Sequence, residues 1–273
     1  MRTALVTGGA SGIGRAIAAA LVARGDHVVV ADVDAEGARR VASELGGLAT
    51  AATLDVTDRG AFADLVDHVV AEHGRLDLLV NNAGIGVGGL VEEMTAQQWD
   101  SALDVNVRGV VHGIEAAYPV MVRQRSGHIL NTGSVAGLLP APLMVPYSMT
   151  KHAVVGLSRA LRLEAAALGI GVTALCPGFV ATPLLDDVDP GLPGTPASRQ
   201  GRRYVQRLQG RMATPEEVAV AAVRGIERNC ELVVVPRVAH LAAVTARLAP
   251  GLVSLVSRLE IARYRAERRR IAS

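Results

Sequence analysis

The 273 residues of this chain predict a doubly wound α/β fold, with a mostly parallel sheet of seven strands and helices on both faces. Short apolar runs, rich in β-branched residues, alternate with longer stretches whose apolar residues recur at helical spacing. The runs are apolar on both faces, as expected for strands buried between two helical layers. We therefore expect strands at residues 4–6, 27–31, 48–54, 76–80, 128–131, 171–175 and 232–235.

The stretches between these runs predict the helices. Ile13 and Ile17 share one helical face after the first run, and Phe62 and Val66 share another after the third. A repeating order of strand, helix and strand favours right-handed crossovers within one parallel sheet. We therefore expect the carboxyl ends of the strands to meet along one edge of the sheet.

Two changes in composition set the expected boundaries. Prolines and glycines concentrate in residues 183–203 and predict an irregular loop. Beyond the last run, two helical stretches at 237–248 and 252–270 are separated by Pro250 and Gly251. We expect one domain over residues 1–236, including a substrate loop at 183–212, and a C-terminal helical extension over 237–273.

The composition argues against several function classes. Aromatic residues make up 3% of the chain, too few for the stacking platforms of single-stranded nucleic-acid binders. Cys176 and Cys230 are too few and too far apart for a zinc site or a disulfide framework, so we expect no metal and no bridge. The N-terminus does not resemble a signal peptide, and charge and proline interrupt the apolar stretch 241–259. We expect a cytoplasmic protein with no nucleic-acid partner.

Arginine is strongly preferred to lysine among the basic residues. The chain has 28 basic and 26 acidic residues, and Lys151 is its only lysine. Codon bias explains a preference for arginine, but lysine carries a compact ammonium whose pKa proteins shift readily. Position 151 is therefore a candidate for chemistry that an arginine would perform poorly.

The charge is also unevenly placed. Residues 258–273 hold six arginines and two glutamates, a net charge of +4, which leaves −2 on the rest of the chain because the total is +2. Leu252, Leu255, Val256 and Leu259 share one face of the last predicted helix. This helix either packs on the core or on a partner subunit with a solvated basic end, or lies on an anionic membrane surface.

A glycine-rich turn follows the first strand and precedes an alanine-rich helix. Glycines allow a tight turn and the close approach of a pyrophosphate, whose charge meets the free N–H groups at the helix start. This context is the one expected for a dinucleotide in a Rossmann fold. The expected contacts are Gly8, Ser11, Gly12, Ile13 and Gly14.

Asp32 ends the second predicted strand, 18 residues after Gly14. A carboxylate at this position accepts both ribose hydroxyls and repels a 2′-phosphate, and neither Ser11 nor Val33 is basic. Asp32 could instead cap the next helix, although Asp34 is better placed for that. The pattern favours NAD over NADP.

Five motifs in order resemble those of the short-chain dehydrogenase/reductase family. They are Thr7-Gly8-x-x-x-Gly12-x-Gly14, Asn81-Asn82-Ala83-Gly84, Ser134, Tyr147-x-x-x-Lys151 and Pro177-Gly178. The resemblance covers residues 1–235. It implies a Rossmann sheet with a seventh strand, hydride transfer with a nicotinamide cofactor, and a homodimer or homotetramer. The helical extension after Pro236 departs from the family's usual ending and puts the tetramer in doubt.

The resemblance also implies roles for residues at several strand ends. It places Asp55 and Val56 at the adenine, although Asp55 also suits a strand-ending turn. Asn82, Ala83 and Gly84 would pass the ribose or stabilise the sheet. The segment beside the nicotinamide would be Pro177, Gly178, Val180 and Thr182. Asn106 resembles a helix asparagine that supports a proton-relay water, whereas an isolated asparagine in a helix usually faces solvent.

Hydride transfer from an alcohol needs a group that exchanges the hydroxyl proton, and Tyr147 is the candidate. A phenol has a pKa near 10, and a neighbouring cation lowers it. Lys151 lies four residues further, on the same helical face, and its ammonium can also donate to ribose hydroxyls. Ser134 can hold the substrate oxygen and stabilise charge that develops on it. A tyrosine and lysine at this spacing alone would more often be an ordinary surface pair.

The segments around these residues predict an apolar substrate. Residues 135–146 and 85–90 carry no charge, and we expect Ser134, Leu139 and Tyr147 to contact a lipophilic secondary alcohol or ketone of steroid, terpenoid or lipid type. The uncharged segment could instead pack under a lid formed by 183–203. Two alternatives remain: an NADPH-dependent 3-oxoacyl-thioester reductase acting on an acyl carrier protein, and a non-catalytic dinucleotide sensor.

Overall fold

The computed structural model describes residues 1–185, 188, 191–192, 194–195 and 211–272. Seven strands form one sheet in the order β3-β2-β1-β4-β5-β6-β7, and every neighbouring pair is parallel. The predicted fold class is therefore confirmed. The strands are β1 Thr3–Thr7, β2 His27–Asp32, β3 Ala49–Thr53, β4 Leu78–Asn81, β5 Gly127–Thr132, β6 Ile170–Pro177 and β7 Leu232–Val235.

Helices connect these strands and cover both faces of the sheet. They are α1 Gly12–Val22, α2 Ala35–Leu45, α3 Arg59–His73, α4 Ala96–Leu103, α5 Gly109–Gln124, α6 Val145–Ala166, α7 Pro215–Glu227, α8 Arg237–Leu248 and α9 Pro250–Ala272. A π-helical turn at Asp104–Arg108 joins α4 to α5, and short 3₁₀ turns lie at Val91–Glu93, Val135–Gly137 and Pro183–Leu185.

The core lies on both sides of the sheet, because neighbouring strand residues point to opposite faces. Val6 of β1 packs with Leu21 of α1 in one cluster, and Leu5 packs with Phe62 of α3 in the other. The chain order reverses at β1, which lies between β2 and β4. In such a sheet a crevice opens outside the carboxyl ends of the strands at the point of reversal, where ligands bind.

The expectation of strands buried on both faces is wrong for the two edges. Thr50, Ala51 and Thr53 of β3 are exposed, and Leu232 of β7 is 37% exposed. Edge strands have a sheet neighbour on one side only, so helices cover them less completely than the central strands. The two cysteines are free thiols at opposite ends of neighbouring strands, with Cys176 in β6 and Cys230 before β7.

The C-terminal extension forms two helices, as the sequence predicts. Pro250 begins α9 instead of lying between the helices, since proline fits the first turn of a helix. Among the described residues no single helix is long and apolar enough to cross a membrane. The helix pair Arg237–Leu248 and Pro250–Ala266 meets that test together but is bent by 113° at the break between its helices.

Candidate active site

A cavity of about 790 Å³ opens outside the carboxyl ends of the central strands. Its lining includes all but two of the site residues predicted from the sequence, because parallel strands bring their carboxyl ends to one edge. The predicted residues that line it are Gly8, Ser11, Gly12, Ile13, Asp32, Asp55, Val56, Asn82, Ala83, Gly84, Ser134, Leu139, Tyr147, Lys151, Pro177, Gly178, Val180 and Thr182. Gly14 and Asn106 do not line it.

The glycine turn forms one end of the cavity. Gly8 and Gly12 have φ values of 64° and 52°, in the left-handed region that glycine adopts without strain. A Cβ on Gly12 would lie 3.1 Å from the Thr182 side chain. In addition, no side-chain hydrogen bond caps the start of α1 at Ser11. The close approach and the uncapped helix start therefore fit a phosphate-bearing ligand at this turn.

The Asn82 side chain is hydrogen-bonded to the backbone of the glycine turn. Its side-chain nitrogen donates to the Thr7 and Gly8 carbonyls at 3.1 and 3.2 Å. The Thr7 hydroxyl accepts from the backbone of Asn82 and Ala83 at 3.0 and 3.1 Å. Asn82 thus stabilises the ends of β1 and β4, as one interpretation predicts, and it also lines the cavity, where the contact with a ribose stays a prediction.

Gly14 lies behind the turn. A Cβ at this position would lie 2.1 Å from the Gly8 carbonyl oxygen and 2.6 Å from the Asn82 side-chain nitrogen. The missing side chain therefore allows α1 to pack closely against the turn. Gly14 was expected among the residues that contact the dinucleotide, but its position serves the packing of the helix.

Asp32 ends β2 with its carboxylate at the cavity. One oxygen accepts from the Ala10 N–H at 2.9 Å and the other from the Asp34 N–H at 3.0 Å. Asp34, and not Asp32, caps α2 by accepting from the Gly37 N–H at 3.0 Å. Among the described residues of the cavity lining, Lys151 is the only basic one, so no described cation here neutralises Asp32 or would attract a 2′-phosphate.

Asp55 and Val56 follow β3 and line the same end of the cavity. Asp55 accepts from the backbone and the hydroxyl of Thr57 at 2.9 and 2.8 Å, so it also forms the turn that the sequence suggested. Asp58 caps α3 through the Ala61 N–H at 3.0 Å. Val56 is buried and lines the cavity beside Asp55.

Asn106 is completely buried in the π-helical turn between α4 and α5, so the interpretation that it faces solvent is wrong. Its side-chain oxygen accepts from the Ile85 N–H at 2.8 Å, and its nitrogen donates to the Ile85 carbonyl at 3.0 Å. The nitrogen also donates to the Thr150 hydroxyl at 3.3 Å. The side chain therefore joins the segment after β4 to α6, one residue before Lys151, instead of reaching the cavity.

Ser134, Tyr147 and Lys151 meet in the centre of the cavity lining. The Ser134 hydroxyl lies just beyond β5, accepts from the Ala136 N–H at 3.1 Å and donates to the Pro177 carbonyl at 3.4 Å. The Tyr147 side chain is hydrogen-bonded to Ser134. The Lys151 ammonium lies 5.5 Å from the centre of the Tyr147 ring. This arrangement brings a hydroxyl, a phenol and an ammonium to one site, as general acid–base chemistry on an alcohol requires.

Burial dominates the protonation of these groups. It raises the pKa of Tyr147, and the hydrogen bond with Ser134 opposes that shift. It lowers the pKa of Lys151 from 10.5 to about 8. The expectation that the pKa of Tyr147 is lowered is therefore not met, because burial raises it. The physical reason is that both groups are removed from water, which disfavours the phenolate and the ammonium alike.

The substrate side of the cavity is apolar. Leu139, Met144 and neighbouring residues of the segment 135–146 form one wall, and Leu184 and Leu185 form another. Of the segment 85–90, only Ile85 lines the cavity. Its remaining residues pack beneath, where Val87 and Leu90 are buried.

Only part of the predicted lid is described. Pro183–Leu185 lines the cavity, and Val188 pairs with Gly86. The Thr195 hydroxyl donates to the Gly88 carbonyl at 2.5 Å. These contacts join the first part of the loop to the segment after β4. Most of the remaining predicted lid and substrate loop, namely residues 186–187, 189–190, 193 and 196–210, lies outside the described residues.

The sequence did not predict that the C-terminal extension lines the cavity. Residues of α8 and α9 form its outer wall: Val238, Ala239, Ala242, Val253, Val256, Ser257 and Glu260. Two ion pairs hold α9 there, between Arg265 and Glu92 at 2.7 Å and between Arg268 and Glu93. The sequence pattern that would predict this wall was present but weak. The α9 residues that line the cavity are mixed in size and polarity, whereas the leucines of α9 form a conspicuous apolar pattern.

Comparisons with known proteins support, for most of the chain, the family that the sequence motifs resemble. The family model for short chain dehydrogenases matches residues 2–192. The 3-oxoacyl-(acyl-carrier-protein) reductase FabG of Thermotoga maritima is 35% identical over 221 residues, which cover 80% of this chain and 87% of that protein. A solved short chain dehydrogenase/reductase from Burkholderia phymatum in complex with NAD has a TM-score of 0.84 and 31% identity, and the match covers 92% of this chain and 94% of that chain.

A further relative shares part of the C-terminal extension. The probable oxidoreductase EphD of Mycobacterium tuberculosis is 35% identical over 263 residues, which cover 94% of this chain but 44% of that protein. A match of this extent leaves fewer residues unmatched than the extension at 237–273 contains. With the family match, the parallel sheet and these relatives together, the chain belongs to the short chain dehydrogenase family of oxidoreductases, whose solved members include a complex with NAD.

Proposed function

We propose that the chain transfers a hydride between NAD(H) and a lipophilic secondary alcohol or ketone, of steroid, terpenoid or lipid type. The observation that carries this proposal is the position of Ser134, Tyr147 and Lys151 between two different parts of one cavity. On one side lie the glycine turn and Asp32, which suit a dinucleotide. On the other side lie the uncharged walls that suit a lipophilic substrate.

The dinucleotide would lie along the strand ends. The glycine turn and the uncapped start of α1 would bind its pyrophosphate, with contacts from Gly8, Ser11, Gly12 and Ile13. The Asp32 carboxylate would accept the adenosine ribose hydroxyls, and it would repel the additional phosphate of NADP. The remaining contacts would be Asp55 and Val56 at the adenine, Asn82, Ala83 and Gly84 along the ribose, and Pro177, Gly178, Val180 and Thr182 at the nicotinamide.

A bound nicotinamide dinucleotide supplies the hydride acceptor for oxidation and the hydride donor for reduction. In the direction of oxidation, the Ser134 hydroxyl holds the substrate oxygen and the Tyr147 phenolate accepts the substrate hydroxyl proton. In reduction the Tyr147 phenol donates that proton. The Lys151 ammonium, 5.5 Å from the centre of the Tyr147 ring, would favour the phenolate by its charge and so oppose the effect of burial, and Asn106 keeps α6 and the segment after β4 in register.

An activity screen tests this function most broadly. Steroids, terpenoids and aliphatic secondary alcohols are offered with NAD, and the matching ketones with NADH, each alongside the phosphorylated cofactor. We expect turnover of lipophilic substrates with a preference for the unphosphorylated cofactor. Binding of NAD without turnover of any substrate would favour the non-catalytic sensor instead.

A second candidate is a 3-oxoacyl-thioester reductase, which the similarity to FabG of Thermotoga maritima favours. Such an enzyme would use NADPH and present a basic surface to an acidic carrier protein. Asp32, a net charge of −2 outside residues 258–273, and an outer wall made by the C-terminal extension weigh against it. Turnover of an acyl carrier thioester with NADPH, compared with a free lipophilic ketone and NADH, separates the two candidates.

The extension leaves an apolar surface for a partner. Leu241 and Leu248 of α8 and Leu252, Leu255 and Leu259 of α9 are all more than half exposed. Either a second copy of this chain, in a homodimer or homotetramer, or an anionic membrane surface would cover it. Sedimentation of the purified protein, with and without anionic vesicles, distinguishes these proposals. The proposed function also includes a cytoplasmic location for the protein.

A further inference from the structure

One charged residue of the cavity has no role in the function proposed above. Among the described lining residues, the charged ones are Asp32, Asp55, Lys151 and Glu260. Asp32 and Asp55 lie at the end expected for adenosine, and Lys151 lies beside Tyr147. Glu260 lies on α9, in the outer wall that the C-terminal extension adds to an otherwise largely apolar substrate side.

The spacing of the lining residues along α9 places Glu260 on the helix face that lines the cavity. The lining residues Val253, Val256, Ser257 and Glu260 follow one another at intervals of three, four and seven positions from the first. Residues with this spacing share one face of a helix, and that face adjoins the face of the exposed leucines at Val256, which is itself half exposed. Glu260 therefore extends the inner face of the wall by one turn beyond Ser257.

The helix that carries Glu260 is fixed close to this position. The Arg265 guanidinium pairs with Glu92 at 2.7 Å, and Arg268 pairs with Glu93 one turn further on. Both partners lie on the turn at Val91–Glu93, which follows the segment after β4. The carboxylate of Glu260 is thus held against the cavity by a helix anchored at two points.

Glu260 has no hydrogen bond or ion pair with any residue that the structure describes, although several arginines lie on the same helix. Its side chain is partly buried. A carboxylate that loses water to a lipophilic ligand without gaining a donor is strongly disfavoured. A purely hydrocarbon substrate end would therefore bind poorly against this wall, whereas a ligand that brings its own donor would satisfy the carboxylate.

We propose that Glu260 is a specificity subsite that accepts a hydrogen bond from a second polar group of the substrate, a hydroxyl or an ammonium, away from the reacting carbon. The substrate is accordingly an amphipathic alcohol or ketone with a lipophilic body and a donor at a distance from the carbinol. This inference rests on the proposed function, because the cavity is taken as the substrate site. Asp32, Asp55 and Lys151 remain assigned to the cofactor and to proton transfer.

The test compares substrates that differ only at the remote end. The probes are a series of methyl carbinols of increasing chain length, each with its ω-hydroxyl and ω-amino counterpart, and a monohydroxy steroid with the corresponding diol. The variants are Glu260→Leu, which removes the acceptor, and Glu260→Gln, which keeps a neutral acceptor. Glu164→Gln, on the exposed surface of α6, is the matched control.

In the wild type we expect at least one chain length at which the ω-substituted substrate has a kcat/KM roughly tenfold above that of its parent, as charge-assisted hydrogen bonds allow. Glu260→Leu should abolish that ratio, mainly through KM, because a remote contact is present in both the ground state and the transition state. Glu260→Gln should retain more of the ratio for the hydroxyl than for the amine. The control should keep the wild-type ratio.

A ratio that is the same in the wild type and in Glu260→Leu would overturn the proposal. Calorimetric titration of the NAD-saturated protein with the same ligand pairs gives the ratio without turnover. If every wild-type assay shows no turnover, the proposed function fails, and the calorimetric ratio still decides the subsite separately. Equal affinity for parent and ω-substituted ligands, or no binding of either, would also overturn the subsite.

Discussion

The Lys151 ammonium donates a hydrogen bond to the Thr132 carbonyl at 2.9 Å. This contact ties α6 to the carboxyl end of β5, and Lys151 is only 4% exposed there. The only lysine of the chain therefore lies in a narrow buried position beside Tyr147, and not on the surface where the 27 arginines could have substituted for it. A guanidinium is wider and planar, and it lacks the compact, rotatable set of donors that an ammonium offers.

We expect Lys151→Arg to preserve the fold but to lose activity. The larger group would not reach the Thr132 carbonyl without displacing Tyr147, so kcat should fall by roughly a hundredfold or more, as for the loss of a proton-transfer group. Circular dichroism and steady-state kinetics measure the two effects. Near wild-type turnover would show that the single lysine is a coincidence of codon use.

The pH dependence of stability should report the burial of the same ammonium. Burial lowers the pKa of Lys151 from 10.5 to about 8. Between these values the native state binds fewer protons at this group than the unfolded chain, so the burial cost is full below about pH 8 and disappears as the pH rises towards 10.5. Cys176, whose pKa burial raises from 9.0 to about 12, acts in the opposite direction at higher pH.

Comparison with Lys151→Met isolates the lysine from these other groups. In the absence of cofactor, the difference in unfolding free energy between wild type and variant should shift in favour of the wild type as the pH rises from about 8 towards 10.5. Urea unfolding at several pH values measures it. A difference that stays constant with pH would contradict the depressed pKa.

Asp32 should set the choice between the two cofactors. Asp32→Ser removes the carboxylate that would repel a 2′-phosphate, and we expect the ratio of kcat/KM for NADH over NADPH to fall by roughly tenfold or more, the change expected from the loss of about 1.4 kcal/mol of discrimination. Asp34→Ser is the matched control, because serine also caps helices and Asp34 caps α2 next to the site. An unchanged ratio in Asp32→Ser would place cofactor discrimination elsewhere.

The ion pairs of α9 should hold the outer wall of the cavity. We expect Glu92→Gln to increase hydrogen exchange in residues 250–272 and to raise KM for lipophilic substrates, because it removes the partner of Arg265. High salt should bring the wild type towards the variant, since exposed ion pairs are screened. Glu44→Gln, which removes the exposed pair between Arg15 of α1 and Glu44 of α2 and leaves the contacts of α9 intact, should change neither quantity. Equal exchange in both variants would argue against this role.

Much of the site was predictable because it lies at strand ends. Gly12, Asp32 and Ser134 are far apart in the chain, but each lies at or just beyond the carboxyl end of a parallel strand. The order of strands and helices along the sequence was therefore sufficient to predict that these residues meet at one edge of the sheet. Gly14 was assigned to the site as part of the glycine turn, and Asn106 by its resemblance to a helix asparagine of the family. Their neighbours explain why they do not line the cavity, because Gly14 packs against Gly8 and Asn106 is hydrogen-bonded to Ile85.

Other features depend on tertiary packing that no local pattern contains. The segment at β3 is apolar enough to suggest a buried strand, yet its edge position leaves Thr50 exposed. The extension shows an apolar face through Leu252 and Leu259, which suggested packing on the core or on a partner subunit, or contact with a membrane. Its less apolar face, with Val253 and Glu260, is the one that reaches the cavity. Helical periodicity identifies faces, but it does not state which face the rest of the protein covers.

Substitution of Tyr147 by phenylalanine tests the central claim most directly. The variant keeps the ring and its burial but removes the hydroxyl that exchanges a proton with the substrate. With a lipophilic substrate identified by the screen, we expect NAD affinity to stay near the wild-type value while the rate of hydride transfer in a single turnover falls by roughly a hundredfold or more. A single-turnover rate equal to that of the wild type would contradict the account.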